Sequence, residues 1–146
     1  MRRIALLFVA GAAVSLGACA GMGSSTGTSG PPPSKDVVVG SDFDLAPGQS
    51  ARVDGSALTI SFKEVTEDSR CPLGVVCIWA GNAAVSLTVS DAAGAKNQIV
   101  LNTTLTPQAV KLAGYEISLV KLQPIRKQDA TIPPASYVAT LHVTRL

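Results

Sequence analysis

From residue 41 onward the chain alternates apolar and polar side chains with a period of two. Leu58, Ile60 and Phe62 fall on one face of an extended run, with Thr59 and Ser61 on the other. Val85, Leu87 and Val89 share a face opposite Ala84, Ser86 and Thr88. The pattern returns at Ile99 and Leu101, at Tyr115, Ile117 and Leu119, and at Tyr137, Ala139, Leu141 and Val143. In an extended chain every second side chain points the same way, so each run predicts a strand with one buried face. No stretch here sustains the 3.6-residue period of a helix. Val, Ile and Thr supply 26 of the 106 residues from 41 to 146, and their branched β-carbons favour extended backbone.

Turn chemistry separates the runs. Pro47-Gly48 suits a type II turn, and Asp54-Gly55 is a two-residue hairpin signal. Asp91–Gly94 and Ala113-Gly114 mark two more turns, and Pro133-Pro134 interrupts the chain before the last run. Thr106 to Ala113 reads as one helical turn with Pro107 at its first position. About seven strands spaced this way predict an all-β domain over 41–146, a single small antiparallel β-sandwich or barrel.

The first forty residues follow a different pattern. Arg2 and Arg3 precede an uncharged run of 15 residues, Ile4 to Ala18. That run is shorter than the ~20 residues needed to span a bilayer as a helix. Positive start, apolar middle and small residues at the end predict a cleaved export signal over 1–18. Leu16-Gly17-Ala18-Cys19 resembles the lipobox of bacterial lipoproteins. The resemblance implies a diacylglyceryl group on the Cys19 thiol, cleavage before Cys19 and acylation of the new amine. Ala20, where Asp would signal retention, implies the outer membrane of a Gram-negative cell, facing the periplasm. Two or more acyl chains hold a protein on a membrane that one chain grips only marginally. Residues 19–40 then read as the lipidated Cys and a Gly/Ser/Thr/Pro-rich flexible tether, too poor in apolar side chains to bury a core.

Charge adds little attraction. The formal net charge of +2 is carried by Arg2 and Arg3 alone, which leaves ten basic and ten acidic side chains elsewhere. A nucleic-acid partner, which calls for a strong basic excess, is not expected. The expected partners are the membrane, through the lipid, and an envelope protein or glycan. No cofactor is expected beyond the covalent lipid.

With Cys19 held in lipid, Cys71 and Cys77 are left as a pair in an oxidising compartment, which predicts a disulfide. A metal pair is the rival, but the spacing is C-x5-C, the chain has one His, and no metal site is predicted. The same short spacing excludes an immunoglobulin-type bridge between distant strands. Trp79, the single Trp, carries two readings. The first makes it a plug at one end of the core beside the bridge. The second makes it an exposed aromatic that stacks on a sugar or anchors a partner. Glu64, Glu67 and Asp68 precede Arg70, which predicts an Arg–carboxylate pair in a solvated loop, with a cation site as the rival. Glu67, Asp68, Arg70 and Trp79 are therefore the candidate contact residues.

The run Glu67–Gly81 resembles a segment of small bacterial envelope lipoproteins with the pattern E-D-S-R-C-P-x-x-V-x-C-x-W-x-G. That resemblance implies location and fold integrity, and no activity. Alternation turns His142, the only imidazole, away from the face of Leu141 and Val143. The domain over 41–146 has no G-x-S-x-G, and the chain has no H-E-x-x-H and no phosphate-binding loop. No catalytic residue is assigned and no enzyme is expected. The expected function is a lipid-anchored, non-catalytic module with a binding or structural role in the cell envelope. The alternative is a periplasmic ligand-binding or inhibitor domain that uses the Glu67–Trp79 disulfide loop.

Overall fold

Strands account for nearly all regular structure in residues 34–146, the part of the chain that the computed structural model describes. The expected export signal, Cys19 and the expected tether up to residue 33 lie outside the described residues. In chain order the strands are β1 (Ser34–Val37), β2 (Asp42–Leu45), β3 (Ser50–Val53), β4 (Thr59–Asp68) and β5 (Ala83–Ser90). They continue as β6 (Lys96–Asn102), β7 (Ala109–Leu112), β8 (Tyr115–Gln123) and β9 (Val138–Arg145). Among the described residues the only other regular element is a 3-10 turn at Pro134–Ser136.

Two sheets form a sandwich. One has the order β1-β3-β4-β5-β6 and the other β2-β9-β8-β7. Only β1 against β3 is parallel; every other strand pair is antiparallel. The sheets share no strand pairing, so the open sandwich is realised and the barrel is not.

The alternation seen in the sequence becomes the core. Leu58, Ile60, Phe62, Val85, Leu87, Val89 and Leu101 line the inner face of the first sheet. Leu45, Ile117, Ala139, Leu141 and Val143 meet them from the second. Bulges change the parity where the chain needs it. In β8 the register shifts between Leu119 and Lys121, and inward positions move from Tyr115 and Ile117 to Leu122. In β4 shifts after Phe62 and Val65 add twist and carry Asp68 toward the other sheet.

Three expectations are corrected. The tether does not run to residue 40: Ser34–Val37 pairs with Ser50–Val53, and Val37 is buried. The four residues carry no apolar pattern of their own and are strand because β3 offers them a free edge. Thr106–Ala113 is not a helical turn, because Ala109–Leu112 pairs with Tyr115–Ser118 as β7. The loop at Asp54-Gly55 spans 54–57, not two residues, since the Val53 N–H bonds the Leu58 carbonyl at 2.9 Å. The two-residue hairpin sits instead at Ala113-Gly114, where both residues have positive φ, 52° and 81°.

Candidate functional site

The loop between β4 and β5, residues 69–82, leaves one end of the sandwich and returns beside its own start. Its base extends the β4–β5 ladder. Ser69 N–H donates to the Asn82 carbonyl at 2.7 Å, and Cys71 N–H to the Ala80 carbonyl at 3.1 Å. Gly81 makes that closeness possible. Its φ is +68°, and a β-carbon there would lie 1.9 Å from the Ser69 carbonyl oxygen. Buried Asn82 fixes the neighbouring loop: its amide donates to Asn102 Oδ1 at 2.8 Å, and its Oδ1 accepts from Thr104 N–H at 3.1 Å.

Arg70 and Asp68 lock the base to the opposite sheet. Arg70 Nε and Nη2 donate to the two Asp68 carboxylate oxygens at 2.8 and 2.7 Å, a bidentate pair. The same guanidinium donates to the carbonyls of Leu122 at 2.6 Å and Pro124 at 2.9 Å. Tyr137 Oη donates to Asp68 at 3.0 Å, and Arg126 donates to the Arg70 carbonyl at 3.1 Å. The Arg70 and Asp68 side chains are only 14% and 8% exposed, so the pair belongs to the frame and not to a solvated loop. Burial pushes the Asp68 carboxyl up, but hydrogen bonds from Arg70 and Tyr137 outweigh it and hold the carboxyl below its ordinary value. Burial, and then the bond to Asp68, raise the Tyr137 phenol.

Beyond this frame the loop is apolar and turned to water. Cys71 and Cys77 are joined as the disulfide that their pairing predicts, with Cα atoms 6.0 Å apart. Leu73 is pinned at its backbone, its N–H donating to the Arg126 carbonyl at 2.8 Å, while its side chain is 67% exposed. Val76, Ile78 and Trp79 are 99%, 94% and 83% exposed. No charged residue lies between Cys71 and Asn82.

Trp79 therefore does not plug the core. The buried aromatic at this end is Tyr137, and the bridged loop turns Trp79 outward. The four candidate contact residues divide. Trp79 is presented to solvent, Glu67 lies exposed at the rim with Ser69 Oγ 3.2 Å from its carboxylate, and Asp68 and Arg70 are the clamp beneath. Asp68 faces Arg70 and Tyr137, and among the described residues no three His, Cys, Asp or Glu side chains gather as a cation site. Sequence reasoning missed Val76 and Ile78, although an uncharged apolar run inside a C-x5-C loop was a legible signal.

His142 sits on the outer face of the second sheet. Its Nδ1 lies 2.6 Å from Asp42 Oδ1, and Ser118 is its neighbour on β8. The Ser118 hydroxyl donates to the His142 carbonyl at 3.3 Å and not to the imidazole. Asp42 was not legible as the partner, since a hundred residues separate it from His142.

Fold and frame define a two-sheet β-sandwich that displays a disulfide-bridged apolar loop. Compared with known proteins, the chain matches no family model, no curated protein and no solved structure.

Proposed function

We propose that this chain is a lipid-anchored module of the bacterial cell envelope, held at the outer membrane and facing the periplasm, that binds and does not catalyse. One observation carries the binding role. A loop fixed at its base by a disulfide, a buried ion pair and a backbone crossing holds Val76, Ile78 and Trp79 almost fully in water. Large apolar side chains on a rigid support are unfavourable in solvent and gain free energy when a partner covers them. A rigid loop also loses little conformational entropy on contact. The lipobox resemblance supports the anchor, and the three-cysteine arithmetic supports the oxidising compartment.

This reading takes the bridged loop from the periplasmic binding alternative and keeps the lipid anchor. Photo-crosslinking amino acids placed at positions 76 and 79 in intact cells test it, with position 54 at the opposite end as control. Crosslinked product, to protein or to lipid, from 76 and 79 but not from 54 is the expected result. Equal labelling at all three, or none, overturns the contact role. Loss of acyl labelling and of envelope fractionation in Cys19→Ser is the expected result for the anchor.

A further inference from the structure

The exposed apolar residues are not spread evenly over the sandwich. Leu73, Val76, Ile78, Trp79, Leu105 and Ile125 all lie in loops at the end where β4 and β8 finish and β5 begins. Among the other exposed large apolar side chains of the described residues, Val100 and Val120 lie singly on strands β6 and β8, and the opposite end carries only Val38 and Leu146. Asn82 ties the Leu105 loop to the disulfide loop, and Arg70 ties in the segment before Ile125, so the patch has one support.

The direction of β1 relates this patch to the anchor. Ser34 pairs with Ser50, and Ser50 with Ser61, while Val37 pairs with Val53. Since β4 runs from Thr59 toward Asp68 at the loop end, β1 runs away from that end, and its first residue lies level with the third residue of β4. Seven residues separate the level of Ser61 from Asp68, about 23 Å at the rise of a strand. Fourteen residues separate Cys19 from Ser34, twice the roughly seven that an extended chain needs to cover that distance. The tether is therefore long enough for a chain held by Cys19 in a bilayer to bring the loop end to the lipid surface, and the apolar side chains select that end over the other.

We propose that the partner of the apolar tip is the lipid surface itself: Val76, Ile78 and Trp79 enter the interfacial region of the membrane that carries the anchor. This rests on the proposed function for its anchor. The tip is exposed, uncharged and contains an aromatic whose ring prefers the boundary between headgroups and acyl chains. Insertion would stand the sandwich on its loop end, with the Asp54-Gly55 and Ala113-Gly114 turns pointing away from the membrane.

Trp79 is the only Trp and reports directly. Cys19 is the one cysteine outside the disulfide, so the purified full chain couples through it to a maleimide lipid in phosphatidylethanolamine–phosphatidylglycerol vesicles, whether or not cells acylate it. Insertion predicts a blue shift of Trp79 emission and loss of about half its intensity when phospholipids brominated near the headgroup are included. The double variant Val76→Ser/Ile78→Ser, which alters only exposed side chains, should reduce that quenching at least about threefold. Unshifted emission, equal with and without bromine, overturns the inference. Fatty-acid labelling of Cys19 in cells is scored separately. Labelling without quenching keeps the anchor and assigns the tip to a protein partner. Quenching without labelling keeps tip insertion and removes the anchor.

Discussion

Gly81 and Trp79 stand two positions apart and answer to opposite constraints. A side chain at Gly81 meets the Ser69 carbonyl and must also hold a φ of +68°. Trp79 touches water over most of its surface. Gly81→Ala should therefore cost more than about 3 kcal/mol of unfolding free energy, combining a backbone clash with a left-handed backbone. Trp79→Ser should stay within about 0.5 kcal/mol of the parent, as surface substitutions do. Urea titration of both variants checks the pair, and a large loss at Trp79 would return it to the core. The Asp68–Tyr137 hydrogen bond carries a pH signature. Asp68 has its carboxyl lowered by folding, so its contribution is complete above the unfolded carboxylate value near 3.9 and fades as pH falls through the lower folded value. Tyr137 is raised by folding, so its contribution holds below the unfolded phenol value near 10 and fades as pH rises through the folded one. The stability gap between the parent and Asp68→Asn should be flat across neutral pH and shrink on the acid side below about pH 4. Thermal melts of both proteins across acid pH measure it, and a pH-independent gap would show that the Asp68 charge contributes nothing.

At the scale of elements, long strands were legible and the four-residue edge strands were not. β4, β5, β8 and β9 carry three or more inward apolar residues each, so the period of two is visible without a partner. β1 and β7 lie at sheet edges and are four residues long, too short to show a period. In β7 only Val110 and Leu112 turn inward, and Pro107 upstream imitates a helix start. Pairing with β8 decides between the two conformations. β1 is strand only because β3 lies beside it. Its weight can be measured by comparing chains that start at residue 34 and at residue 41. The first should keep full stability. The second loses buried Val37 and the bond from Asp54 N–H to the Val37 carbonyl, and should lose about 2–4 kcal/mol in urea unfolding.

Over the whole molecule, the core and the disulfide occupy different places. Phe62, Leu87, Ile117 and Leu141 are fully buried between the sheets, while Cys71 and Cys77 bridge a loop beyond one end. Reduction should therefore loosen the tip without unfolding the sandwich. The loop-closure estimate for a seven-residue ring is roughly 2–2.5 kcal/mol, a fraction of the ~5–15 kcal/mol that holds a domain of this size. Far-UV circular dichroism should remain that of a β-protein in reductant, with a lower melting temperature. Complete unfolding on reduction would place the bridge in the core after all. The segregation of exposed apolar side chains to one end likewise belongs to this scale, because Leu105 and Ile125 are far from Trp79 in sequence.

What the amino-acid order determined alone is whatever is local or periodic. That includes the alternation that makes an all-β chain, the turn residues between strands, and the odd cysteine count that leaves Cys71 to pair with Cys77. Folding decided what depends on residues meeting from distant parts of the chain: that Asp68 and Arg70 are a buried clamp, that Asp42 pairs with His142, that β1 has an edge to join. It also decided that Trp79 faces water. A lone Trp after a cysteine bridge fits a core plug and a contact residue equally well, and only the returning backbone, crossing at Gly81 with Tyr137 already closing that end of the core, leaves it outside.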